Sequence, residues 1–149
     1  MDWIRTYRWS DNARLAVTAP MGSPRRFMKR LPNTLADERW AFSLQAGAAL
    51  IALHAEFEDV HVYVEAESLG EFALERGWEP TRTGRLYLMA PVYRESVWYQ
   101  RQTVENQPVV NPLQLVLDLW HYPVRGREQA EHLLETVLRP TWETSPDEQ

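Results

Sequence analysis

Apolar and polar positions alternate cleanly in DVHVYVE, Asp59 to Glu65, with Val60, Val62 and Val64 on one side and His61, Tyr63 and Glu65 on the other. A period of two predicts a strand with one face packed and one face polar. RLYLMAP, Arg85 to Pro91, repeats the pattern after the turn residues Thr83 and Gly84, and VWYQRQTV, Val97 to Val104, gives another alternating run between proline-containing loops. WAFSL, Trp40 to Leu44, has the length and aromatic content of a strand, and QAGAALIALHA, Gln45 to Ala55, reads as a helix of small residues.

Helix ends are marked by capping chemistry. Ser23 before Pro24 predicts a short helix to about Leu31, ended by Pro32. Ser68 and Glu71 form a capping box for SLGEFALERG, which Gly77 terminates. Asn111 and Pro112 open a helix to about Trp120, and a last helix over Arg127 to Leu138 carries the stripe Ala130, Leu133, Leu134, Val137 and Leu138. The order is helix, strand, helix, strand, helix, two strands, helix, helix. It predicts an α/β or α+β domain, a small mixed sheet with flanking helices. A basic, aromatic N-terminal arm over 1–34, a core over 35–139 and a polar tail over 140–149 complete the division.

Composition narrows the chemistry. The chain has 149 residues and no cysteine, which excludes disulfides, thiolate metal sites and a cysteine nucleophile. No apolar run reaches the roughly 20 residues of a membrane span, and the N-terminus lacks a signal-type apolar region, so a cytoplasmic protein without membrane contact is expected. The net charge is -5, yet residues 1–30 hold seven cations against two acids. This segment contains Arg5, Arg8, Arg25, Arg26, Lys29 and Arg30 together with Trp3 and Trp9, and such a mixture suits an acidic partner, protein or nucleic acid. The competing reading packs the segment on its own acidic body.

Candidate chemistry is sparse. The four histidines, His54, His61, His121 and His132, include no pair at the i, i+4 spacing of a helical zinc site, so no metal and no cofactor is expected. No G-x-S-x-G elbow and no glycine-rich phosphate loop is present, and no catalytic residue is assigned. The acids Glu56, Glu58, Asp59, Glu65 and Glu67 surround one strand. Carboxylates two apart on a strand are how a site clamps Mg²⁺, and strand, small-residue helix and acidic strand also open the nucleotidyltransferase fold. Here Asp59-Val60-His61 has histidine in the second acidic place and the Gly-Ser turn is missing, so such a core would be degenerate. Asp118, inside an apolar helix and followed by Arg125, Gly126 and Arg127, is expected to fix a helix-turn-helix corner by accepting hydrogen bonds from the turn or pairing with a guanidinium.

The block Val109-Val110-Asn111-Pro112-Leu113-Gln114, with Leu117-Asp118-Leu119, Pro123, Arg125-Gly126-Arg127-Glu128 and Ala130-Glu131-His132-Leu133, resembles the end of AbiEi-family antitoxins, transcriptional regulators of bacterial type IV toxin-antitoxin systems. WAFSLQAGAAL followed by VHVYVE is similar to the same family's strand, helix and short strand, and the resemblance spans about Trp40 to Leu138. It implies a non-enzymatic antitoxin-like or regulatory domain whose partner protein is a nucleotidyltransferase-like toxin. The family's N-terminal winged helix has no counterpart in the stretch before Trp40, so DNA binding is not carried over. Nucleic-acid contact through the basic arm, a divergent nucleotidyltransferase using Asp59 with Glu65 or Glu67, and a stand-alone DNA-binding module stay open as alternatives.

Overall fold

A computed structural model describes residues 8–52, 57–123 and 125–138. Among these the chain forms a mixed α/β structure, a seven-stranded mixed sheet with six α-helices. The strands are β1 (Ala13–Thr18), β2 (Trp40–Ser43), β3 (Val60–Val64), β4 (Glu79–Pro80), β5 (Leu86–Ala90), β6 (Gln102–Val104) and β7 (Gln107–Val109). They lie in the order β4-β1-β5-β3-β2-β7-β6. β3 runs parallel to β5 and β2 parallel to β7, and the other neighbours are antiparallel. The helices are α1 (Pro24–Thr34), α2 (Leu44–Ala52), α3 (Leu69–Glu75), α4 (Arg94–Trp98), α5 (Pro112–Trp120) and α6 (Gly126–Leu133), which continues as a π-helical segment, Leu134–Leu138. No helix among the described residues is long and apolar enough to cross a membrane.

The caps form as their sequences imply. Ser23 Oγ accepts the Arg26 N–H at 3.2 Å, Ser68 Oγ the Glu71 N–H at 3.1 Å, and Asn111 Oδ1 the Gln114 N–H at 3.0 Å. Pro32 does not stop α1. It sits in the last turn, where its fixed φ is helical, and the Leu35 N–H still reaches the Leu31 carbonyl at 2.9 Å.

The N-terminal region is not an appended arm in its described part. β1 is paired on both sides, with β4 and β5, and α1 buries Phe27, Met28 and Leu31. The single strand expected over 97–104 is also corrected. Arg94–Trp98 is helical, with the Tyr99 N–H bonded to the Glu95 carbonyl at 2.9 Å, and only Gln102–Val104 is extended. Glu105 and Asn106, at φ 51° and 66°, then make a two-residue hairpin to β7, the left-handed pair that strand twist favours.

Register and alternation divide the central strands. Trp40, Phe42, Val60, Val62, Val64, Leu86 and Leu88 share one face and are buried. Ser43, His61, Tyr63 and Tyr87 share the other. That second face was expected to meet solvent, yet all five residues of β3 are buried. The polar side chains turned inward there make the first candidate site.

Candidate functional site

β2 passes into α2 without a loop, because Leu44 adopts a left-handed backbone, φ 53°, directly after Ser43. A non-glycine residue in that region is strained and held by its surroundings. The turn leaves Ser43 Oγ donating to Asp118 Oδ2 at 2.5 Å. Asp118 on α5 also accepts from the Tyr63 hydroxyl and, at 3.1 Å, from Gln114 Nε2 one helical turn earlier. The Tyr63 hydroxyl accepts from Asn12 Nδ2 at 3.2 Å, and Asn12 Oδ1 takes the Val92 N–H at 2.8 Å. Ser96 on α4 donates to Gln114 Oε1 at 2.6 Å. One polar network thus ties the turn before β1, strands β2 and β3, and helices α4 and α5. Ser43 and Asp118 are both 0% exposed.

Asp118 was expected to fix the corner between α5 and α6. Its described partners lie on β2, β3 and its own helix, whereas Arg125 pairs with Glu128 at 2.8 Å and the Arg127 guanidinium stacks over Trp120 at 4.0 Å. The hydrogen bond lowers the Glu128 carboxyl below its usual range and raises the Arg125 guanidinium. At the corner between α5 and α6 the backbones approach closely at Gly126, where an added Cβ would stand 2.2 Å from the Leu119 carbonyl oxygen and 2.7 Å from Tyr122 Cβ. Arg125 supplies the left-handed residue before α6, at φ 59°.

Beside the network lies an aromatic cluster. His61 stacks on Tyr87 with ring centroids 4.6 Å apart, and Trp9 and Tyr122 meet it edge-on at 5.7 and 5.5 Å. The Arg14 guanidinium covers Trp9 at 4.5 Å. Trp9, expected as an exposed docking residue, is therefore core, closed over by its neighbours. Burial, reinforced by Arg14, pushes the His61 imidazole down to about 3, so it is neutral at physiological pH. Among the described residues the buried His61 Nδ1 has no hydrogen-bond partner. Burial and the charges of Asp59 and Tyr87 push the Tyr122 phenol up to about 12, and burial with Glu58 raises the Asp59 carboxyl.

The acids singled out for a metal clamp are separated. Asp59 precedes β3 and Glu65 follows it, roughly 20 Å apart along an extended strand. Glu65 is held between Arg39, at 3.2 Å, and Arg94. Among the described residues no group of three or more histidines and acids comes together as a metal-ligand set.

The cations of α1 are brought together. Arg25, Arg26, Lys29 and Arg30 are all exposed, and the helix carries no acid. Among the described residues none of the four forms an ion pair. Arg26, Lys29 and Arg30 line a cavity of about 650 Å³ with Met21, Gly22 and Ser23, and Arg30 also fastens the preceding loop through the carbonyls of Pro20 and Met21. Arg8 is exposed in the segment before β1, and Trp3 and Arg5 lie outside the described residues. Ser43, Tyr63, Asn12 and Gln114 were missed as network members. Their signal was Asp118 itself, an acid in an apolar helix that needs several donors from elsewhere.

Comparison of the chain with protein-family models, curated proteins and solved structures gave no match.

Proposed function

We propose that this chain is a non-enzymatic, antitoxin-like regulatory domain that acts by binding a partner protein through the basic face of α1. The observation that carries this reading is the placement of charge on that helix. The helix carries four cations without an acid among them and without ion pairs in the described structure, and three of them, Arg26, Lys29 and Arg30, line an open cavity. Such a surface favours an acidic partner through long-range attraction and arginine-carboxylate pairing. The interior supports the non-enzymatic part, since Ser43, Asp118 and neutral His61 are buried and the acids at the two ends of β3 are far apart.

The AbiEi-like segments supply the rest of the proposal. β2, α2 and β3 follow the strand-helix-strand order of a nucleotidyltransferase-like unit, and His61 in the second acidic place makes that unit degenerate. α5 and α6 around Gly126 are the helix-turn-helix corner of this reading. The partner it implies is a nucleotidyltransferase-like toxin.

The test is co-expression with the product of the neighbouring open reading frame, with the mass of the purified species read by light scattering. The expected result is a complex that Arg25→Glu with Arg26→Glu weakens at least tenfold, a change of about 1.4 kcal/mol. A homogeneous lone species would overturn the protein-partner reading. Tight duplex DNA binding by that lone species, falling steeply with salt, would establish the nucleic-acid alternative.

A further inference from the structure

We propose that the cavity beside α1 is a binding site for a phosphate monoester dianion. The proposal names the group recognised on the face described above; its role as a contact rests on that reading, and the binding itself does not. The cavity, about 650 Å³, is formed by the loop before the helix together with Arg26, Lys29 and Arg30, and no acid is among its lining residues. Spacings of three and four residues place these cations on one side of the helix, where like charges repel. Among the described residues none of the three has an ion-pair partner.

The helix itself opposes this arrangement. The N-terminal end of a helix carries a partial positive charge, which favours acids in the first turn and cations in the last. α1 has the reverse, with Arg25 and Arg26 just after its cap, no acid in the first turn and no cation in the last. Such a distribution costs stability in the free protein, and a bound anion would offset that cost. The donors are also held ready. Arg30 Nη2 donates to the carbonyls of Pro20 and Met21 at 2.9 and 3.0 Å, which fixes the guanidinium at the cavity wall without neutralising it. Ser23 Oγ accepts the Arg26 N–H through a lone pair, so that bond does not use the hydroxyl proton.

Charge decides the class of ligand. A carboxylate brings one negative charge, whereas a phosphate monoester brings close to two on three acceptor oxygens, a nearer match to three cations around one cavity. A phosphodiester brings one charge per group, and its chain needs a row of cations. The fourth cation of the helix does not extend such a row, since Arg25 is outside the cavity lining and its guanidinium lies over Phe57, 5.8 Å from the ring centre.

The experiment is a thermal melt of the full chain at constant ionic strength, with sodium chloride exchanged for inorganic phosphate, adenosine 5′-monophosphate or a short blocked phosphoserine peptide, and the unphosphorylated peptide as blank. At about ten times its dissociation constant a bound monoester should raise the melting temperature by roughly 3–5 °C. Arg26→Gln with Lys29→Gln, both at exposed positions, should remove most of that shift, and Arg25→Gln should keep it. In chloride alone Arg26→Gln should melt about 1–2 °C higher than the parent chain, because a cation leaves the positive end of the helix. A larger shift with the phosphopeptide supports the site and places the phosphate on a protein; a larger shift with the nucleotide supports it and places the phosphate on a small molecule. Equal melting temperatures in phosphate and chloride, or an undiminished shift in the double variant, would overturn the site. The melt needs no partner protein, so a failure here is separate from a lone species in the co-expression experiment.

Discussion

The Tyr63 hydroxyl lies 2.9 Å from both carboxylate oxygens of Asp118, joining the central strand β3 to α5 across 55 residues of sequence. Both side chains are 0% exposed, and among the described residues Ser43 and Gln114 also donate to Asp118. A buried network of this kind is favourable only while every member is satisfied.

Removing the acid should therefore affect more than one contact. Asp118→Ala leaves the donors of Ser43, Tyr63 and Gln114 without this acceptor, and the expected loss is about 3 kcal/mol. Tyr63→Phe keeps the ring and removes only the hydroxyl, with a loss of about 1–2 kcal/mol. Because the two share a contact, the double variant should lose less than the sum. Urea denaturation of all four proteins measures this, and strict additivity would show that the two residues are not coupled.

The sequence revealed the elements whose signals are local. The caps at Ser23, Ser68 and Asn111 and the alternation in Val60–Val64 depend on neighbours a few residues away, and the structure has them. β1 was hidden because its burial pattern is mostly open, with only Val17 fully buried, and its place in the sheet is decided by β5 some seventy residues on. Val97 and Trp98, read as the start of a strand over Val97–Val104, end a short helix instead, because an alternating string of aromatic and polar residues also fits one helical turn. In the candidate sites, the cations of α1 were visible as a cluster in sequence, whereas the donors to Asp118 come from β2, β3 and α5 and only the fold unites them.

Trp9 separates the docking and core readings directly. An exposed docking residue can be replaced without effect on folding, but Trp9 packs against His61 and Tyr122. Trp9→Ala should lower stability by about 3 kcal/mol, as a large aromatic deletion from a core does. A melting curve superimposable on that of the parent chain would return Trp9 to the surface.

The corner between α5 and α6 makes a paired prediction. A methyl group at Gly126 would meet the Leu119 carbonyl, which is backbone and cannot rotate away, so Gly126→Ala should cost about 2 kcal/mol through forced displacement. Glu128→Gln, which breaks the exposed pair with Arg125, should leave the melting temperature unchanged. Differential scanning calorimetry of the two variants tests the assignment, and the reverse ranking would make the Arg125–Glu128 pair, not the close approach at Gly126, the stronger constraint on the corner.

His61 links the buried face to pH. Its folded-state value of about 3 lies below the ordinary 6.5, because protonation would place a charge inside the cluster of Trp9, Tyr87 and Tyr122, close to Arg14. Between these two values the unfolded chain binds a proton that the native protein does not, so stability falls as pH drops below about 6.5 and the loss saturates near 3. Over about two pH units, from 6.5 to 4.5, this residue alone accounts for roughly 2–3 kcal/mol. His61→Phe retains a flat ring against Tyr87 and has no proton to bind. Denaturant titrations at several pH values should show the parent chain losing that much more than the variant across the window. Parallel stability profiles would mean that the imidazole is hydrated or protonated in the folded state and that its buried environment does not govern its charge.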